Sequence, residues 1–139
     1  MRLTILFILV IFPAFCIAQN SGPDVVRSSA AYSEVLLRKT ELQADLESLL
    51  PSYTEANPKI MDLRVELAAL AGSVQKVLDT KVSGAGKLTL ALGKLIVKKA
   101  TLETDLARLS RSYSKDHPEV KRARRRVEIF EAAIAEVLR

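Results

Sequence analysis

Tryptophan is absent from this sequence, histidine occurs once, as His117, and cysteine once, as Cys16. Each scarcity removes a class of chemistry. A lone histidine, with no cysteine beyond the N-terminal run and no recurring carboxylate cluster, builds neither a nucleophile–base pair nor a metal site. No enzymatic activity, no cofactor and no metal are therefore expected, and His117 reads as a helix-capping residue. If the chain is trimmed behind Cys16, it has no disulfide and no thiol chemistry and is held by packing alone. The stretch SGAGKLT, Ser83 to Thr89, has the look of a phosphate loop but lacks its parts. Lys81 stands at the leading glycine position, and Leu88 replaces the hydroxyl residue that would hold magnesium. No aromatic residues interleave the basic ones, which argues against nucleic acid as a partner.

What the chain does have begins with an apolar leader. MRLTILFILVIFPAFCIAQN carries one positive residue, Arg2, then an apolar run from Leu3 to Phe15, then Cys16-Ile17-Ala18 with small residues where a signal peptidase reads them. Residues 1–18 are expected to be a signal peptide cut after Ala18, and the protein to be exported, periplasmic or secreted. An uncleaved N-terminal anchor and a lipid-modified Cys16 are the alternatives. Phe15 opposes lipidation, which wants a small residue before the cysteine, and Pro13 weakens a membrane helix. The remainder is one small domain with a modest core, since 49% of the 139 residues are hydrophobic.

Charge is divided unevenly along the chain. Residues 19–80 hold 6 basic and 9 acidic side chains, net −3, whereas residues 81–139 hold 14 basic and 7 acidic, net +7. Attraction between the two halves, within a chain or between chains, is the expected consequence.

The same sentence is written twice. SYTEANPKIMDLRVELAAL begins at Ser52 and SYSKDHPEVKRARRRVEIF at Ser112, sixty residues later, and the same offset pairs Lys39 with Lys99, Leu42 with Leu102, Leu46 with Leu106 and Val77 with Val137. The repeated unit runs from Tyr32 to Leu78 and again from Leu92 to Leu138. Within it apolar residues step by three and four: Ile60, Leu63, Leu67, Leu70, Val74 and Val77 after the proline, with Val120, Ala123, Val127, Phe130, Ile134 and Val137 in the copy. Before the proline the same steps give Val35, Lys39, Leu42, Leu46, Leu49 and Tyr53, then Leu95, Lys99, Leu102, Leu106, Leu109 and Tyr113. These spacings predict antiparallel coiled coils.

Pro58 and Pro118 cannot continue a straight helix, but they suit the first position of a new one, with Asn57 and His117 placed to cap. Tyr53 and Tyr113 end the preceding helices and are expected to fold over the tips. The fold class that follows is all-α: two tandem helical hairpins, either closing into a four-helix bundle or extending in tandem. Their helices should have roughly 22 to 28 residues each. Residues 19–82 form the first hairpin, 83–86 a Gly/Ser linker and 87–139 the second. Lys39 and Lys99 share one seam position; their stems should pack while the amines reach water, the alternative being a role in setting register.

The run KRARRR, Lys121 to Arg126, divides by helix face. Ala123 lies in the seam, and Arg124 and Arg126 flank it, in reach of Glu103 and Asp105. Lys121, Arg122 and Arg125 face outward, near Arg108, Arg111 and Lys115, and these six form either a solvated face or an anion-binding patch.

The pattern Leu-x-x-x-Tyr-x-x-x-(His/Asn)-Pro-x-(Val/Ile), found in LSRSYSKDHPEV and LLPSYTEANPKI, resembles the coiled-coil segment of bacterial polysaccharide chain-length determinant proteins, the GumC and Wzz-like polysaccharide co-polymerases. The resemblance covers the two hairpins only; the family's second membrane span and kinase domain have no counterpart in this sequence. It implies long periplasmic helices and a link to polysaccharide export or assembly, and it carries over no catalytic residues. The expected role is thus that of an exported, non-enzymatic structural or interaction protein of the bacterial envelope. A protein partner or self-association is expected. The rival is a module whose basic second tip binds acidic polysaccharide or an anionic membrane surface.

Overall fold

Two prolines, sixty residues apart, each open a helix. The computed structural model describes residues 23–139 and is all-α. Its helices are α1 (Pro23–Arg27), α2 (Ala30–Leu49), α3 (Pro58–Leu78), α4 (Leu90–Ser112) and α5 (Pro118–Leu138), with a 3-10 segment at Val82–Lys87. The expected signal peptide, Cys16 included, lies outside the described residues. Among the described residues no helix is long and apolar enough to cross a membrane.

The helices begin where side chains can satisfy their first amides. The Ser29 hydroxyl accepts from the Tyr32 N–H at 3.2 Å, and sixty residues on the Thr89 hydroxyl accepts from the Leu92 N–H at 3.3 Å. The repeat therefore starts three residues upstream of the unit legible as Tyr32 to Leu78. It extends further still, because α1 and the 3-10 segment stand at nearly the same offset, one short helical piece before each hairpin.

Helix lengths depart from the expected range. α2 has 20 residues, α3 21, α4 23 and α5 21, so only α4 falls inside it. The physical reason in the first half is Pro51, which lacks an amide hydrogen and crowds the preceding turn, so α2 stops at Leu49. Arg111 occupies the equivalent place in the second half, and α4 runs on to Ser112.

Burial follows the apolar steps. Val35, Leu42, Ile60, Leu63, Leu70 and Val77 are buried in the first hairpin, and Leu102, Val120, Ala123 and Val127 in the second. Each fully buried leucine or isoleucine contributes about 1.5–3 kcal/mol relative to exposure. Lys99 packs its stem at this level and donates to the Glu103 carboxylate at 2.5 Å, while Lys39 is half-buried and has no acidic partner among the described residues.

The hairpins neither close into a symmetric four-helix bundle nor extend apart. α4 lies against both α2 and α3, so these three pack mutually, whereas α5 packs along α4. Leu92, Ile96 and Ala100 of α4 join one core cluster with Val35, Leu70 and Val77. The connection is less free than a Gly/Ser linker. Its 3-10 turns lead into Leu88, buried at 3% exposure, whose carbonyl accepts from the Ala31 N–H at 3.2 Å. Lys87 Nζ donates to the Leu138 carbonyl at 3.2 Å, and Val26 of α1 is buried in the same core cluster.

Candidate functional site

The two tips are built alike but closed differently. Asn57 Oδ1 accepts from the Lys59 N–H at 2.9 Å, and His117 Nδ1 accepts from the Glu119 N–H at 3.2 Å, so both residues cap the helix that Pro58 or Pro118 opens. Tyr113 stacks on His117, with ring centroids 4.2 Å apart and planes 24° from parallel. In the first tip asparagine stands in place of the histidine ring, and the side chains of Tyr53 and Tyr113 are both about half exposed.

The basic run does not present six free cations. Arg122 pairs with Glu119, Arg125 with Glu128 at 3.1 Å and Lys121 with Asp116 at 3.2 Å. Arg108 and Arg111 reach across to Asp62 of α3, the former at 3.7 Å, and so tie the second hairpin to the first. Of the six patch residues, Lys115 alone has no acidic partner among the described residues. The expected pairing of Arg124 and Arg126 with Glu103 and Asp105 is not what forms. Glu103 goes to Lys99 and Asp105 to Arg108, both neighbours on α4 itself, where three- and four-residue spacings bring side chains together more readily than a reach across helices. Arg124 and Arg126 stay exposed. Because exposed pairs contribute only about 0–1 kcal/mol, the positive potential of this end is reduced and not abolished.

A buried acid escaped the sequence reading. Glu66 of α3 is 6% exposed and accepts from Arg38 Nε at 3.0 Å and Nη2 at 2.9 Å, and from the Thr101 hydroxyl at 3.2 Å. One carboxylate thus joins α2, α3 and α4. Burial works against the Arg38 charge, but the hydrogen bonds and charge of Glu66, aided by Glu41, outweigh it and raise the guanidinium above its ordinary value. A signal was present: the repeat turns Glu66 into Arg126 and Glu41 into Thr101.

Two hollows flank the second hairpin. A shallow apolar crevice of about 170 Å³ lies between α3, α4 and α5, bordered by Val77, Ile96 and Ile134. On α4 and α5, a more open depression of about 320 Å³ is lined by Asp105, Arg108, Arg122, Ala123 and Arg126. Large apolar side chains also stay in water: Leu36 at 42% exposure and Leu37 at 58% on α2, and Ile129 at 53% on α5. Among the described residues no group of three His, Cys, Asp or Glu side chains could hold a metal ion. The arrangement offers capped tips, an acidic and a basic hairpin, and exposed leucines on a helical frame. No protein-family model, curated protein or solved structure matches the chain.

Proposed function

We propose that this chain is an exported, non-enzymatic structural or interaction protein of a bacterial envelope, whose paired hairpins serve as a rigid surface for protein partners. The observation that carries the reading is the exposure of Leu36, Leu37 and Ile129 on well-formed helices, which costs solubility unless something covers them. Export rests on the apolar leader ending at Ala18, and a link to polysaccharide export or assembly rests on the resemblance of the two tips to the chain-length determinant proteins. The test expresses the whole gene product in a bacterium and sequences the N-terminus of each fraction. Protein beginning at Gln19 in the periplasm or medium is expected. Protein retaining Met1 in the cytoplasm overturns export, and an envelope partner captured equally by wild type and by the Leu36→Asp, Leu37→Asp variant overturns the exposed leucines as the docking surface.

A further inference from the structure

The two hairpins are copies, and the structure shows how one copy receives the next. α4 lies against α2 and α3. The α4 positions buried or half-buried in the core there include Ile96, Val97 and Ala100. Shifting by sixty, the same positions of α2 are Leu36, Leu37 and Thr40, all exposed. The α2/α3 groove has its own counterpart between α4 and α5, and α2 and α3 lie on the other side of α4. Among the described residues one end therefore has an uncovered ridge and the other an uncovered groove, and within the chain the equivalent ridge already sits in the equivalent groove.

We infer that a second copy of this chain docks its α2 into the groove between α4 and α5, joining copies head to tail; this rests on the reading of the chain as an interaction module. Charge complementarity selects this occupant. In the internal contact Arg38, Glu66 and Thr101 meet. In the contact between copies their equivalents are Lys98 and Arg126 in the groove and Glu41 on the arriving α2, itself bridged to Arg38 at 3.4 Å, so an acid meets two bases where internally an acid meets one base and a hydroxyl. Lys98 and Arg126 have no acidic partner among the described residues, and both are exposed. The departures compensate elsewhere as well. Asp62, held internally by Arg108 and Arg111, becomes Arg122, while those two arginines become Ser48 and Pro51, which removes a clash of like charges. Ile129 takes the place of Ala69, which packs against the core, and adds apolar surface to the groove.

Such a contact joins two different surfaces, so it leaves a free ridge and a free groove at the ends and can propagate. Ser33 stands where Gly93 allows the internal helices to approach, so the docked helix rides further out and the contact between copies is the weaker of the two.

The experiment is sedimentation of the exported chain over a concentration series at low and high salt, with two blocked variants. Leu36→Asp with Leu37→Asp spoils the ridge and leaves the groove; Ile129→Asp spoils the groove and leaves the ridge. All three positions are exposed, and circular dichroism checks that helicity is retained. Wild type is expected to rise in mass with concentration and to fall back at high salt. Each variant alone should remain monomeric, and their equimolar mixture should form a dimer and nothing larger. Glu41→Arg and Arg126→Glu, which alter charge without touching the apolar contact, should each weaken association. Wild type that stays monomeric throughout overturns the inference, as does a mixture that stays monomeric, and so does either variant forming a dimer alone, the mark of a two-fold symmetric contact. So does a monomer retained on an acidic polysaccharide through Lys98 and Arg126. None of these outcomes touches export, which the N-terminal sequence decides separately.

Discussion

Gly93 of α4 rests directly on Ala31 of α2: a Cβ added at Gly93 would stand 3.0 Å from the Ala31 Cα and carbonyl oxygen, and 2.8 Å from the Glu34 Cβ. Backbone atoms and a Cβ cannot swing aside as the end of a long side chain can. The contact sets how closely the two hairpins pack.

Gly93→Ala should therefore destabilise the protein by about 1–3 kcal/mol, overpacking outweighing the helix preference of alanine. Gly72 is the control, because a Cβ there meets nothing within 4 Å, and Gly72→Ala should raise stability by up to about 1 kcal/mol. Urea midpoints moving up in both variants would show that the hairpins do not approach at Gly93.

Glu66 binds three helices through one carboxylate, so Glu66→Ala should cost about 1–3 kcal/mol, with Glu66→Gln intermediate because its amide oxygen can still accept. The Glu66 side chain is only 9% exposed, and salt should screen the loss weakly. Removing the partner from the exposed Arg125–Glu128 pair, by Glu128→Gln, should change stability by less than about 1 kcal/mol. Equal losses from the two substitutions would contradict a buried role for Glu66.

Core truncations should divide by depth. Leu42 and Leu70, at 2% and 0% exposure, should each cost about 2–5 kcal/mol as alanine. Leu106 is half-buried on a face whose seam partner is the small Ala123, and Leu106→Ala should cost less. Denaturation midpoints in the reverse order would sink this packing.

At the tips, Asn57→Ala and His117→Ala should each cost about 1 kcal/mol through loss of the cap. His117→Ala also loses the stack with Tyr113, so a double-mutant cycle with Tyr113→Ala should return a coupling of about 0.5 kcal/mol, small because the ring is nearly half exposed. Zero coupling would argue that the two rings do not meet in solution.

The hairpins and their tips were legible because proline placement and apolar steps of three and four are local signals. The relation between the hairpins was not, because it depends on particulars that periodicity ignores. Gly93 looks like an ordinary helix interruption until α2 is brought against it, and Glu66 looks solvated until Arg38 and Thr101 arrive from two other helices. Of KRARRR, Arg124 and Arg126 alone fall within reach of Glu103 and Asp105 across the hairpin by spacing. Those two acids pair instead with nearer neighbours on α4, Lys99 and Arg108, while Arg122 and Arg125 pair with Glu119 and Glu128 on α5. α1 is too short for a period to register, yet it places Val26 in the core.

That α5 leans on α4, while α3 is held by both α2 and α4, gives the molecule an uneven resistance to opening. Val120, Ala123 and Val127 anchor the first half of α5, but Phe130, Ile134 and Val137 are only half covered. Lifting the second half of that helix frees only half-covered side chains and the Lys87–Leu138 hydrogen bond, so amides from about Phe130 onward should exchange with solvent well before those of α3. The chain thus keeps one helix that can loosen without the rest unfolding, and hydrogen exchange would find it first.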